Sequence, residues 1–564
     1  MVNGDREKIL EFTDYWLWIV DDQYVHSPLG ADALDQEDRK RGVAIPALAR
    51  AVILNAEGKT VNALKEVDGA VQAGENAPEL LWAKGQLEFE LGRYDESLKA
   101  YEQVLHARPN DKGALFNCAL CLDKLGRYAE AAERLRAAAA IDPDMFAAHL
   151  GLGACLLRLD EPEAALAEFD ACLARHPDHD RALTGKAAAL QLLRRYDEAF
   201  DLYRAVLRTY PNDPDLLANL VAICAARKDE VRLRDYSETL LKAKAGSPTA
   251  LEGLVTAAML RGNYEVAAYY GAQYTKAAPD SYEGWCNLGI ALHKTGHVQE
   301  AINAYERALE QRADGREALV NLAALLHEHD DLERARQMYE RVLRLEPAHA
   351  PTLWNLGLLY QKQGENDAAE ITFGDLLAVQ PDRAEARLRL GYLRLERGDA
   401  QGAIEALEKI ATKPRARAEA RVNLAIAYWR AGRLDAAKSL IQKGLKEQPN
   451  SVDYLRVLAA VAVSESNADE AARLEAKLDQ LGERIPELSY NVGVLLENAR
   501  RHEDAVPALE RAAKAKPGFG EALLSLGHAF KALGQLKKAN ECWQEAIAAM
   551  PELAGGYFGA GATK

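Results

Sequence analysis

Cys118 and Cys121, in the stretch CALC, have the spacing of a redox dithiol or of half a zinc site. No second pair stands at zinc-finger spacing. Both cysteines flank Ala119 in an apolar helical run, where a free cysteine is an ordinary small core residue. HPDH at 176–179 and HEHDD at 327–331 bring imidazoles and carboxylates together. Each falls in a turn between helical runs, without the further ligands that a metal requires. GLG at 151–153 lies inside a helical run and is no phosphate loop. No Ser/His/Asp, Cys/His or paired-carboxylate constellation emerges, so the expectation is no catalysis, no metal and no cofactor.

The polar groups that do recur are amides. Asn117, Asn219, Asn287, Asn321, Asn355, Asn423 and Asn491 each stand two residues before a slot that holds Gly or Ala in all of them but one, Val221 after Asn219, as in LWNLGLLYQKQG at 353–364. Asn is a poor helix former, costing roughly 0.5 kcal/mol relative to Ala, so its repetition asks for a cause. A primary amide offers a donor and an acceptor that match a peptide bond without reading its side chain. Arg389 takes the same slot once, where a carboxylate or carbonyl would be held. The alternative is that these amides merely bridge neighbouring helices. Both readings stay open on the residues alone.

The elements that position the slot follow from a strict period. Pro109, Pro143, Pro177 and Pro211 stand 34 residues apart, and the same phase reaches Pro279, Pro347, Pro381, Pro449, Pro517 and Pro551. Only Ala245, Ala313, Arg415 and Glu483 break the series, and no insertion or deletion is needed. Small residues hold a second phase, including Gly85, Ala119, Gly153, Gly289, Gly357, Gly391 and Gly527. Gly92, Gly126, Gly262, Gly364 and Gly432 hold a third. The period therefore predicts two helices of about 12–14 residues meeting at the glycine, packed closely through the small slots and ended by the proline. Pro78, Pro214, Pro248 and Pro486 open the following helix, where a missing amide proton costs nothing. Each pair leaves an apolar side that only the next pair covers, which makes the fold an all-α solenoid.

This pattern resembles the tetratricopeptide repeat (TPR) family, whose unit is 34 residues long. The resemblance implies a right-handed superhelix of about 15 helix-turn-helix units: fourteen over 78–553, preceded by a degenerate one at 44–77 that keeps Gly58 and Ala63 in phase. In that family the first helices line a concave wall. The asparagine slot resembles the ladder in the repeat arm of O-GlcNAc transferases, where amides grip the main chain of an extended peptide. First helices roughly 10 Å apart would meet an extended strand at about every third residue. The carboxylate clamp of co-chaperone domains needs Lys four residues before the slot. Glu283, Glu317, Glu385, Glu419 and Glu487 stand there instead, which disfavours acidic tails. The repeat departs from its pattern at Val221 and Val255, which fill small slots, and at Lys228 in a turn. A change in superhelical geometry and a locally repacked joint are both open there.

A chain of 564 residues exceeds the roughly 250–300 residues at which single cores stop growing, consistent with an elongated array. The net charge of −16 argues against nucleic acid and favours neutral or basic partners over acidic ones. Seven scattered cysteines suggest no disulfide framework. No stretch reaches the ~20 apolar residues of a membrane span, and the first thirty residues do not look like a signal peptide, so the expected location is cytoplasmic. Residues 1–43 are the most aromatic stretch. Phe12 and Trp16 lie on one helical face and Trp18 lies off it, which suits either a cap on the first unit or a docking and self-association segment. Residues 554–564 read as a partial helix or tail. The leading expectation is a non-enzymatic scaffold binding extended peptide or partner segments on its concave surface. The alternatives are the substrate-recruiting arm of a larger enzyme, such as a glycosyltransferase, and a self-assembling structural unit.

Overall fold

A computed structural model describes residues 46–74, 77–413 and 416–553. The N-terminal segment with Phe12, Trp16 and Trp18, and the tail at 554–564, lie outside these residues. Among the described residues there are thirty α-helices and no strand, arranged as fifteen consecutive helix-turn-helix pairs. The first pair, Pro46–Ala56 and Thr60–Gln72, buries Ala63 completely. The chain divides into two compact units, Met1–Gly315 and Arg316–Lys564. Within each unit every helix packs on its neighbours in sequence, and several successive first helices also touch one another. No comparable contact joins successive second helices among the described residues. First helices therefore form the inner layer of each unit, and second helices the outer one.

The turns explain the glycine phase. Gly92, Gly126, Gly262, Gly296, Gly364, Gly398, Gly432 and Gly534 all have φ between +73° and +85°. The six remaining repeats put Asp160, Arg194, Lys228, Asp330, Ser466 and Arg500 in the same place, with φ from +54° to +68°, and among the described residues these are all of the non-glycine residues with positive φ. A left-handed residue is thus obligatory at the turn, and glycine is only its least strained occupant. At the other end of the pair, the residue before the proline is extended in nine of the ten repeats that carry one, as at Arg108 (φ −133°, ψ 78°). Lys244, which precedes Ala245, keeps the same conformation (φ −132°, ψ 92°), so the connection survives where proline does not.

The small slots are half of a wedge-and-socket contact. Sixteen residues after the small slot, the second helix carries a large side chain that fills it: Tyr101, Phe169, Tyr203, Tyr339 and Phe373 are all 2% exposed or less. A Cβ at Gly153 would lie 2.8 Å from the Phe169 ring, and one at Gly357 would lie 2.7 Å from the Phe373 ring. The wedge also reaches the next first helix, because a Cβ at Gly185 would lie 2.4 Å from the same Phe169 ring. Where the small slot holds Val221 or Val255, the wedge position holds Ser237 or Gly271 instead. Volume is exchanged across the contact, which fits the repacked-joint reading of that departure. One wedge in the second unit is charged. Glu475, 3% exposed, accepts hydrogen bonds from the Ser489 hydroxyl and from two nitrogens of Arg511, with Nε at 2.8 Å.

Candidate protein-interaction surface

The groups that suggested chemistry are packed as structure. The Cys121 thiol donates to the Ser97 hydroxyl at 3.1 Å, and burial pushes the thiols of both Cys118 and Cys121 up to about 12, far from nucleophilic ionisation. His176 and His179 flank the Phe146 ring, at centroid distances of 5.2 and 4.5 Å. His327 lies edge-on to Tyr339. Among the described residues no group of three or more His, Cys, Asp or Glu is placed to hold a metal, and no helix is long and apolar enough to cross a membrane.

The amide slot lies opposite the wedge of the preceding pair, and its members differ in how far they are buried. In the first unit Asn117 and Asn219 are 7% and 5% exposed, while Asn287 is half-buried. Burial raises the Tyr101 phenol well above its usual value, and a hydrogen bond from the Asn117 side chain opposes that rise. In the second unit Asn355 acts in the same sense on Tyr339, whose buried hydroxyl closes no hydrogen bond of good geometry. Tyr203 stands sixteen residues before Asn219, the same spacing, but its buried hydroxyl closes no hydrogen bond. Asn117 and Asn219 therefore serve packing and have little side chain left for a partner. Tyr101, Tyr203, Tyr305 and Tyr339 are each followed by Asn sixteen residues later, but that spacing does not separate the buried Asn117 and Asn219 from the half-buried Asn321 and Asn355.

A direct test separates the two kinds of amide. Asn117→Ala leaves the Tyr101 hydroxyl buried without its partner and should cost about 1–3 kcal/mol in chemical denaturation, relieved by adding Tyr101→Phe. Asn423 faces the position of Leu407, which has no hydroxyl. Asn423→Ala should therefore be neutral, or stabilising by up to ~0.5 kcal/mol, because Ala is the better helix former.

The second unit exposes the row that the first part of the chain buries. Asn321, Asn355 and Asn423 are half-buried, and Arg389 and Asn491 are exposed. Three residues further on, on the same helical face, come Ala324, Leu358, Tyr392, Ile426 and Val494, none of them fully buried, with Tyr392 44% exposed. Trp354 and Trp429 border this stripe. Arg383 lies over the Trp354 ring, and the Trp429 indole donates to the Ser464 hydroxyl on the next first helix at 2.8 Å. Between 112 and 192 the residues corresponding to the stripe, Leu120, Ala154 and Ala188, are at most 2% exposed. Arg389 makes no ion pair or hydrogen bond among the described residues, so a cation stands free between Asn355 and Asn423. The acidic residues four before the slot are less repulsive than the sequence suggested. Arg417 lies 3.3 Å from Glu385, and Lys516 lies 3.0 Å from Glu487. Glu497, half-buried further along, has its carboxyl pushed up to about 7 by burial, so it is partly neutral at neutral pH.

Tetratricopeptide repeat models match residues 82–145, 122–190, 181–213, 286–350, 355–419, 394–461 and 490–552, more than half of the chain. The chain belongs to the tetratricopeptide repeat family, a general protein-interaction scaffold that is typically non-catalytic. No curated protein matches it in sequence. Among solved structures it is similar to YrrB, described as a TPR protein with an unusual peptide-binding site (19% identity, 33% of this chain and 95% of that chain, TM-score 0.31). It is also similar to a tetratricopeptide repeat protein from Parabacteroides merdae (17% identity, 44% and 98%, TM-score 0.35). A third likeness is to a chain of the APC/C hetero-tetramer Cut9-Hcn1 (14% identity, 93% and 96%, TM-score 0.31). These likenesses concern the fold alone.

Proposed function

We propose that the chain is a non-enzymatic scaffold that binds an extended segment of a partner protein along the inner face of its second unit. The observation that carries this reading is the coincidence of two rows on one face: the accessible amides at Asn321, Asn355 and Asn423 with Arg389, and the apolar stripe of Leu358, Tyr392 and Ile426. The amides would hold main-chain groups while the stripe takes alternate side chains. The partner is a neutral or basic segment, or one with a single carboxylate for Arg389.

The test is selection of peptides from a random library on the full chain, followed by affinity measurement with the Asn355→Ala, Arg389→Ala, Asn423→Ala triple variant. Each lost main-chain hydrogen bond is worth about 0.5–1.5 kcal/mol, so the enriched peptides should bind about tenfold to several hundredfold more weakly. A triple variant that melts at a lower temperature but binds normally would overturn the reading and leave the amides as helix bridges.

A further inference from the structure

A second surface lies in the outer layer of the same unit and is independent of the inner face. Leu434–Glu447 and Ala468–Gln480 are successive second helices, separated by the first helix Val452–Ser464. Between them opens a groove of about 480 Å³. At the third position of the first helix most repeats carry Ala, as at Ala114, Ala148, Ala318 and Ala420, but this one carries Tyr454, which is 1% exposed. The Tyr454 ring fills the space that Gly444 leaves open, where a Cβ would lie 2.6 Å from it.

The floor of the groove is apolar: Leu445 is half-buried, and Leu455, Leu458 and Leu474 close it from beneath at 4% exposure or less. Its rim is cationic. Lys446 is exposed and has no ion-pair partner among the described residues. The Arg473 side chain is 76% exposed, with Glu470 no nearer than 3.8 Å. Lys477 donates to the Pro449 carbonyl at 2.8 Å. Glu470 is the one acidic lining residue, and Lys438 lies 3.1 Å from it. In a chain of net charge −16 this is a local reversal of sign.

We propose that the groove docks a short amphipathic helix of a partner protein, leucine-bearing on one face and acidic along its edges. A helix suits the site because two parallel helices of three to four turns, about 20 Å long, present a trough that a third fills with side chains at i, i+3 and i+7. Charge complementarity with Lys446, Arg473 and Lys477 selects acidic flanks over basic ones.

The probe is a synthetic helical peptide of about 14 residues built from leucine and glutamate, with a matched leucine–lysine peptide as its counterpart. Affinity for the full chain is read by fluorescence anisotropy. The glutamate peptide should bind about tenfold or more tightly than the lysine peptide. The Lys446→Glu, Arg473→Glu variant, altered only at exposed positions, should reverse that order. The Asn355→Ala, Arg389→Ala, Asn423→Ala triple variant should bind both peptides as the unaltered chain does, because it leaves the groove untouched. Equal binding of the two peptides would overturn the proposal. So would a preference that survives charge reversal, or one that disappears only in the inner-face variant. None of these results bears on whether an extended segment binds the inner face.

Discussion

Arg511→Leu should destabilise the second unit by about 2–4 kcal/mol. This is less than the ~3–5 kcal/mol seen when a fully buried pair is broken, because the Arg511 side chain is one-third exposed and partly screened. The loss does not measure the attraction between the two groups. It measures what remains: Glu475, 3% exposed, is left without its cation in a slot where most repeats put Tyr, Phe or Leu, with only the Ser489 hydroxyl to serve it. Arg511 lies 36 residues further along the chain, in the second helix of the following repeat, so the contact ties Ala468–Gln480 to His502–Ala515. In a repeat array such a loss stays local, and hydrogen exchange in those two helices should report it before the overall melt does. Replacing both partners, as Glu475→Leu with Arg511→Leu, should recover most of the loss or exceed the original stability, since Leu is the residue that Leu407 and Leu509 supply at the same position. A double variant as unstable as the single would show that the pair holds the joint in a way that an apolar wedge does not.

The solenoid was legible because its signals are local and repeat without slippage. Proline, the small slots and the turn glycine each mark an event that happens within a few residues: a chain end, a close approach, a left-handed φ. The turn was even more regular than its glycines suggested, since Asp160, Arg194 and Lys228 adopt the same φ sign. What escaped the sequence reading was pairing at a distance. Val221 and Val255 looked like breaks in the pattern until Ser237 and Gly271, sixteen residues later, proved to be their complements. The amide slot suffered in the same way. One residue type does two jobs, and the division follows how far the amide is buried, almost wholly at Asn117 and Asn219 and only half at Asn321, Asn355 and Asn423. Leu358, Tyr392 and Ile426 looked like ordinary core residues of an apolar helix, because periodicity alone does not separate an inner-face stripe from a packed one. Tyr454 and Gly444 are a further such pair, a ring on one helix and a glycine on the other, and neither is informative without its complement.

The wedge-and-socket contact carries the sharpest test of how this sequence holds its fold. Phe169 is 1% exposed and lies between Gly153 and Gly185, each of which would collide with its ring if it gained a Cβ. Phe169→Ala should cost about 3–5 kcal/mol, through lost burial and the cavity left between three helices. Gly153→Val should cost about 1–3 kcal/mol by overpacking, because the ring it meets is itself confined on the far side by Gly185. If the two positions acted independently, the double variant would lose the sum. The sequence contains the opposite arrangement already. At Val221, Ser237 and Gly253 the branched side chain stands on the first helix, and the small residue on the second, with the same glycine beyond. There a Cβ on Gly253 would lie 2.9 Å from Val221 itself, so the valine extends into the space that the ring takes elsewhere. The Gly153→Val, Phe169→Ala double variant should therefore be more stable than Phe169→Ala alone, with a coupling of at least ~2 kcal/mol between the two sites. Alanine is the better choice than serine at 169, because the Ser237 hydroxyl is buried without a partner and would add its own cost. Additive losses in the double variant would mean that volume is not what the two slots exchange, and that the Val221 repeat is held by contacts of its own.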